Sequence, residues 1–240
     1  MTKHEKIKYA QSCVSKSLSC PDDSFSRKEN IIFETNSDSS FFKVITFGNN
    51  AVIAADKAIF TWCVENFSEM PFGAIMDGEN LYTIESKVRE YGKKLGGEHL
   101  RFLRLNEDVN MSKPQGFKYE LYEKERVAEL YQDKHFDSAL NYEEQGEVLA
   151  IVAKKNKEIA AIVAVDDYHD GFWQIGIDTV DIYRGKGLAA YLVNEMALEC
   201  ERRGKVPFYT TWSANIASIR TALAAGFQPV WLEYFAEDFC

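Results

Sequence analysis

Several absences narrow the reading of this sequence. No apolar run approaches the length needed to cross a bilayer. Met1–Ser19 mixes Lys, Ser and Gln without an apolar core, so no signal peptide is expected. Basic residues do not dominate: 28 Lys and Arg stand against 37 Asp and Glu, a net charge of -9. A sequence-general nucleic-acid binder needs a basic face, so that class is excluded. The five cysteines (Cys13, Cys20, Cys63, Cys200, Cys240) include no CxxC pair, and their number is odd. They read as reduced thiols of a cytoplasmic protein. The four histidines (His4, His99, His135, His169) lack metal-ligand spacing, so no metal site is expected.

What is present is the composition of a packed soluble chain. Apolar residues make up 46% and charged residues 27%. The 240 residues suffice for one large or two modest domains. Met1–Glu29 reads as a short helix or a partly ordered arm. Phe41–Phe47 and Ala51–Ala55 read as strands joined by the turn Gly48-Asn49-Asn50. Asp56 is placed to cap a helix with Ile59, Phe60, Cys63, Val64 and Phe67 on one face. A second helix is expected from Asn80 to Leu95, stopped by Gly96-Gly97, and a strand from His99 to Leu105. No phosphate loop or catalytic cluster occurs in this half. Asn106–Gly116 is polar with Pro and Gly, a candidate linker. The expected division is an α/β subdomain over 1–113, either a degenerate copy of the fold that follows or a lid that shapes the substrate site, and a second domain over 114–240.

The second half opens with Tyr119–Tyr142, expected to be mostly helical with Val127, Leu130, Tyr131 and Leu140 inward. Val148–Ala153 and Ile159–Val165 flank the turn Lys154-Lys155-Asn156-Lys157. Phe172–Val180 follows the loop Asp166–Gly171. These near-continuous apolar runs suit central strands covered on both faces. Leu188–Cys200 carries a helical stripe of Leu188, Ala189, Leu192, Val193, Met196, Ala197 and Cys200, closed by Arg202, Arg203 and Gly204. Pro207–Trp212 is a strand. Asn215 caps a helix with Ile216, Ile219 and Leu223 inward and Gly226 as its stop, and Val230–Phe235 is the last strand.

The stretch Tyr183-Arg184-Gly185-Lys186-Gly187-Leu188-Ala189 joins a strand to a helix. A helix start presents unpartnered N–H groups and partial positive charge, and glycines let the backbone curl around a phosphate. A P-loop is excluded, because Lys186 is followed by Gly187 and not by Ser or Thr. Gly185–Ala190 does fit the dinucleotide fingerprint G-x-G-x-x-A. Against a nicotinamide enzyme, the next strand lacks the acidic residue that binds ribose.

Arg184-Gly185-Lys186-Gly187-Leu188-Ala189, followed by Asn215-Ile216-Ala217-Ser218 and Gly226-Phe227, resembles the GNAT superfamily of acetyl-CoA-dependent N-acetyltransferases. The resemblance covers roughly Tyr119–Tyr234. It implies an α/β protein of α+β type, with a mixed, mostly antiparallel sheet flanked by helices. It implies acetyl-CoA as co-substrate, with the loop residues Arg184 to Ala189 at the pyrophosphate. Ile177, Asp178 and Thr179 would meet the pantetheine arm on a strand that splays from its neighbour, and Asn215 and Ser218 would follow along the cofactor. The family's usual strand carboxylate falls at Trp173, beside Gln174, and its usual tyrosine acid at Ala222, so neither is present. Asp178 and Tyr209 are the catalytic candidates in their place, and Glu233 and Tyr234 are further groups within possible reach. The implied function is acetyl transfer to a small-molecule amine, without nucleic-acid or membrane partners. The alternative is a CoA-binding protein of the same fold without turnover.

Overall fold

The computed structural model describes residues 1–35, 41–169 and 171–239. Asp170 of the Asp166–Gly171 loop and Cys240 therefore lie outside the described residues. In chain order the elements begin with α1 (Lys3–Leu18), β1 (Ile31–Glu34), β2 (Phe42–Thr46), β3 (Val52–Ala55), α2 (Lys57–Phe67), α3 (Phe72–Ile75) and α4 (Gly78–Arg89). They continue with β4 (Lys93–Leu95), β5 (His99–Arg104), β6 (Lys118–Glu123), α5 (Lys124–Val127), β7 (Glu147–Lys155), β8 (Glu158–His169) and β9 (Phe172–Thr179). The last are α6 (Leu188–Arg202), β10 (Val206–Trp212), α7 (Ile216–Ala224) and β11 (Phe227–Asp238). The chain forms two compact units, one of residues 2–101 with 230–240 and one of residues 102–229. In both, the sheet is mixed and mostly antiparallel with helices packed on it, the expected fold class.

In the first unit β1 pairs parallel with β3, β3 antiparallel with β2, and β2 antiparallel with the Leu232–Phe235 part of β11. Phe42, Val44 and Ile53 of the strands meet Ile59, Cys63 and Phe67 of α2 and Ile84 and Val88 of α4 in one core. Asp56 caps α2 as expected, accepting from the Ala58 N–H at 2.8 Å. The arm at the start is a sixteen-residue helix. Thr2 and Glu5 cap it reciprocally, at 3.3 and 2.7 Å. The helix expected to reach Leu95 ends at Arg89. Lys93–Leu95 is instead drawn into β4 opposite β11, where Lys93 pairs with Asp238 at 2.5 Å and Lys94 with Glu237 at 3.2 Å.

In the second unit the strands run β6, β7, β8, β9, β10, antiparallel except for the parallel pair of β9 and β10. Asn156 and Lys157 turn β7 into β8 with φ of 52° and 71°. Helix α6 packs on β8 and β9 and buries Leu188, Leu192, Val193, Met196, Ala197 and Cys200, the predicted stripe except Ala189, which is half-buried. Two helical expectations fail here. Lys118–Glu123 pairs with Leu149–Lys154 as β6, so only Lys124–Val127 is α-helical, followed by a 3-10 turn over Ala128–Gln132. Ladder pairing with a distant strand overrides the local spacing of apolar residues. The rest, a strap of residues 133–142, lays Phe136, Ala139 and Leu140 against Ala150, Val152, Ile162 and Ala164. Helix α7 is present and capped by Asn215, but Ile216 and Leu223 are exposed. Its buried residue is Ala222, with Ala225 just beyond, so small side chains rather than the large ones face inward. The segment 105–117, without regular structure, belongs to this unit, and the Asn106 N–H donates to the Gly226 carbonyl at 3.0 Å.

Candidate active site

The parallel ladder between β9 and β10 runs from Phe172–Val206 to Ile175–Tyr209 and ends there. Strand β9 continues to Thr179, still paired with β8, and β10 continues to Trp212. Beyond Ile175 and Tyr209 the two strands line opposite sides of a cavity of about 730 Å³. One edge of β9, from Gly176 to Thr179, therefore carries peptide groups without a strand partner. The hydroxyls of Thr179 and Thr210, both on lining residues, are shielded from water and have no hydrogen-bond partner. A buried polar group left unpaired costs about 1–3 kcal/mol, so these hydroxyls favour a ligand that bonds them.

Helix α6 starts at the same cavity. Its N-cap is Gly187, at φ 74°, and no side chain caps it. The first helical bond is donated by Tyr191 to the Gly187 carbonyl at 3.0 Å, so the amides of Leu188, Ala189 and Ala190 have no partner within the helix. Gly187, Leu188, Ala189 and Ala190 all line the cavity. A β-carbon at Gly185 (φ 73°) or Gly187 would touch nothing within 4 Å. Both glycines are thus required for backbone conformation and leave space open in front of the amides. This concavity of bare N–H groups, at the positive end of a fifteen-residue helix, fits a phosphate.

The predicted loop cations differ in placement. Arg184 lines the cavity. Its Nε donates to the Thr179 carbonyl at 3.1 Å and its guanidinium pairs with Asp181 at 3.0 Å, which ties the loop to the end of β9. Lys186 is not a lining residue: its Nζ donates to the Ile182 carbonyl at 3.2 Å and lies 5.4 Å from the Tyr183 ring centre.

Ile177, Asp178, Thr179, Asn215, Ser218 and Tyr209 are all brought to this cavity. Asn215 accepts from the Ser218 N–H at 3.1 Å, and the Ser218 hydroxyl lies 2.7 Å from that of Tyr209. Burial pushes the Tyr209 hydroxyl above its ordinary range, so it keeps its proton. Asp178 is engaged on one oxygen, which accepts from the N–H groups of Ser138 (2.7 Å) and Ala139 (3.0 Å). Burial pushes its carboxyl up, against the pull of those two bonds. Ser138 also lines the cavity, as does Gln174. Ser138 lay hidden in the stretch read as helix, and nothing in the local spacing marked it.

Trp173 is buried with its ring 5.5 Å from the Lys205 ammonium, and Ala222 is the buried residue of α7. Neither lines the cavity. Glu233 and Tyr234 belong to the other unit, where buried Glu233 pairs with the half-buried Arg101 and Tyr234 packs on that unit's core. Cys63 and Cys200 are free, and burial pushes both thiols up to about 12, away from reactivity. Among the described residues no cluster of three or more His, Cys, Asp or Glu could hold a metal ion, and no helix is long and apolar enough to cross a membrane.

A mixed sheet that opens between two parallel strands, beside a glycine-capped helix start, defines an α/β protein with a cleft whose bare amides fit a phosphate. The sequence profile of the GNAT acetyltransferase family matches residues 75–231, well over half the chain, and the chain belongs to that family. A GCN5-related N-acetyltransferase from Kribbella flavida shares the fold with a TM-score of 0.54 at 14% identity, over 97% of this chain and 95% of that one. A GNAT-family protein from Novosphingobium aromaticivorans gives 0.47 at 18% identity, over 60% of this chain and 66% of that one. The match thus spans just under two thirds of that relative. A Salmonella typhimurium protein solved with acetyl-CoA gives 0.39 at 16% identity, over 52% and 94%. At 14% identity the likeness to the Kribbella flavida protein is one of fold alone. No curated relative matches the chain.

Proposed function

We propose that this protein transfers the acetyl group of acetyl-CoA to an amine, by direct attack with both substrates bound. The observation that supports this reading is the shared cavity: the unpaired edge of β9 and the bare amides of α6 face one space. The α6 amides suit a pyrophosphate. The peptide edge from Gly176 to Thr179 suits an arm that carries amides, with the hydroxyls of Thr179 and Thr210 as further partners. Fixed N–H donors in a cleft also polarise a thioester carbonyl, and such positioning supplies most of the rate when no strong acid or base is aligned. Tyr209, held protonated and bonded to Ser218, is the donor for the departing sulfur. A net charge of -9 suits a cationic amine.

The second reading, a CoA-binding protein without turnover, is favoured by one feature. The positions where the family places a carboxylate and a tyrosine hold Trp173 and Ala222. Incubation with acetyl-CoA and a panel of polyamines, amino acids, aminoglycosides and peptide N-termini, with product masses read out, separates the two. An acetylated amine formed only with active protein supports transfer. Acetyl-CoA binding without any product from the panel supports the second reading.

A further inference from the structure

Amine attack needs a group to receive a proton, and among the described residues the only carboxylate lining the cavity is Asp178, already engaged by Ser138 and Ala139. A second carboxylate stands one strand away. Asp166 of β8 is the direct cross-strand partner of Gln174, which lines the cavity. Direct partners on antiparallel strands project to the same face, with Cβ atoms about 4.5–5.5 Å apart. On its other side Asp166 partners Glu147 of β7, so Glu147, Asp166 and Gln174 form a row across three strands. Glu147 is fixed in that row: one oxygen accepts from the Tyr131 hydroxyl and the other from the Asn141 N–H. The charges that act on Asp166 are those of Glu147 on β7, Glu144 on the preceding loop and Asp167 on its own strand. All are acidic; burial first, and these neighbours after it, push the Asp166 carboxyl up to about 6 against the pull of a backbone hydrogen bond. A base poised there exchanges protons near neutral pH.

We propose that Asp166, acting through a water at Gln174, accepts the proton lost by the attacking amine. This rests on the acetyl-transfer reading. The nitrogen lone pair forms the C–N bond to the acetyl carbon while the C–S bond breaks. The N–H proton passes by the water to the Asp166 carboxylate and on to solvent. The thiolate takes the Tyr209 proton, which solvent restores. Asp166 thereby fills the role left vacant by Trp173 and Gln174 on the adjacent strand.

The test is the pH dependence of kcat/KM for CoA release with an amine from the panel, in wild type, Asp166→Asn and Asp166→Glu. Acetyl-CoA binding is measured alongside by calorimetry. Wild type is expected to gain activity through an ionisation at about 6. Asp166→Asn is expected to lose that ionisation and about 10²- to 10⁴-fold in rate with acetyl-CoA affinity unchanged. Asp166→Glu is expected to recover part of both. A wild-type profile in Asp166→Asn overturns the inference alone, as does loss of acetyl-CoA binding in both variants, which would make the role structural. Acetyl-CoA binding to wild type without CoA release for any amine overturns it together with the transfer reading. Failure of every CoA species to bind removes the cofactor reading beneath both.

Discussion

Replacing Gly176 with alanine tests how closely the strap of residues 133–142 is seated on β9. An added Cβ would lie 2.5 Å from the Ser138 carbonyl oxygen, 3.1 Å from Ala139 Cα and 3.3 Å from the Ala139 carbonyl oxygen. All three are backbone atoms, so no flexible side chain can swing away, and the strap must lift. Overpacking of this kind costs about 1–3 kcal/mol. Lifting also stretches the two bonds from Ser138 and Ala139 to Asp178, at 2.7 and 3.0 Å. Hydrogen bonds to a charged group contribute about 1.5–3 kcal/mol each, and their partial loss brings the expected total to about 2–5 kcal/mol. At about 2–4 °C per kcal/mol for a chain of this size, Tm should fall by roughly 4–20 °C. Thermal unfolding followed by circular dichroism reads this directly. A Tm within about 2 °C of wild type would refute the close approach and the claim that Asp178 is pinned by the strap.

The raised Asp166 carboxyl gives a stability prediction with a definite sign. Its folded value of about 6 lies above the ordinary 3.8, so the neutral form is favoured in the fold, and stability is lost as pH rises from about 4 through about 6. About two units correspond to at most ~3 kcal/mol, less after allowance for partial exposure. Asp166→Asn should therefore be about 1–2 kcal/mol more stable than wild type at about pH 8 and no more stable at about pH 4, by urea titration. The opposite trend would show that the burial cost is not there. Tyr209→Phe should leave acetyl-CoA affinity unchanged and cut kcat by about 10²-fold or more. Equal kcat would remove Tyr209 as the proton donor. Asn215→Ala should cost about 0.5–2 kcal/mol through loss of the cap on the Ser218 N–H, and Asn215→Asp should keep most of it. A neutral alanine variant would mean that the cap carries no weight.

The parts of the fold legible in the sequence are those fixed by local pattern. Val148–Ala153, Ile159–Val165 and Phe172–Val180 announce themselves as unbroken apolar runs, and Leu188–Cys200 as a stripe with cations and glycine at its end. The loop from Arg184 to Ala189 is legible because only glycine serves at Gly185 and Gly187. What was not legible depends on partners distant in sequence. Lys118–Glu123 becomes a strand because β7 is available beside it. Lys93–Leu95 leaves the α4 pattern because the Ala236–Asp238 part of β11 is there to pair with it as a strand. Periodicity showed that α7 has an apolar face, but not that Ala222 rather than Leu223 would meet the core. At the site, the role of Ser138 and the row Glu147–Asp166–Gln174 emerge only from strand register and strap packing.

The account rests most directly on a calorimetric titration of acetyl-CoA, CoA and NADH into wild type and Gly187→Trp, both with native circular dichroism. A β-carbon at position 187 would meet nothing within 4 Å, so an indole has room to occupy the ground in front of the α6 amides. The φ of 74° strains the backbone for any L side chain, which is why native circular dichroism of the variant is part of the test. The expected result is that acetyl-CoA and CoA bind wild type, that NADH does not, and that Gly187→Trp weakens CoA binding by more than about tenfold, or 1.4 kcal/mol. Failure of CoA species to bind folded wild type, or equal binding by the tryptophan variant, would contradict the assignment of this cavity.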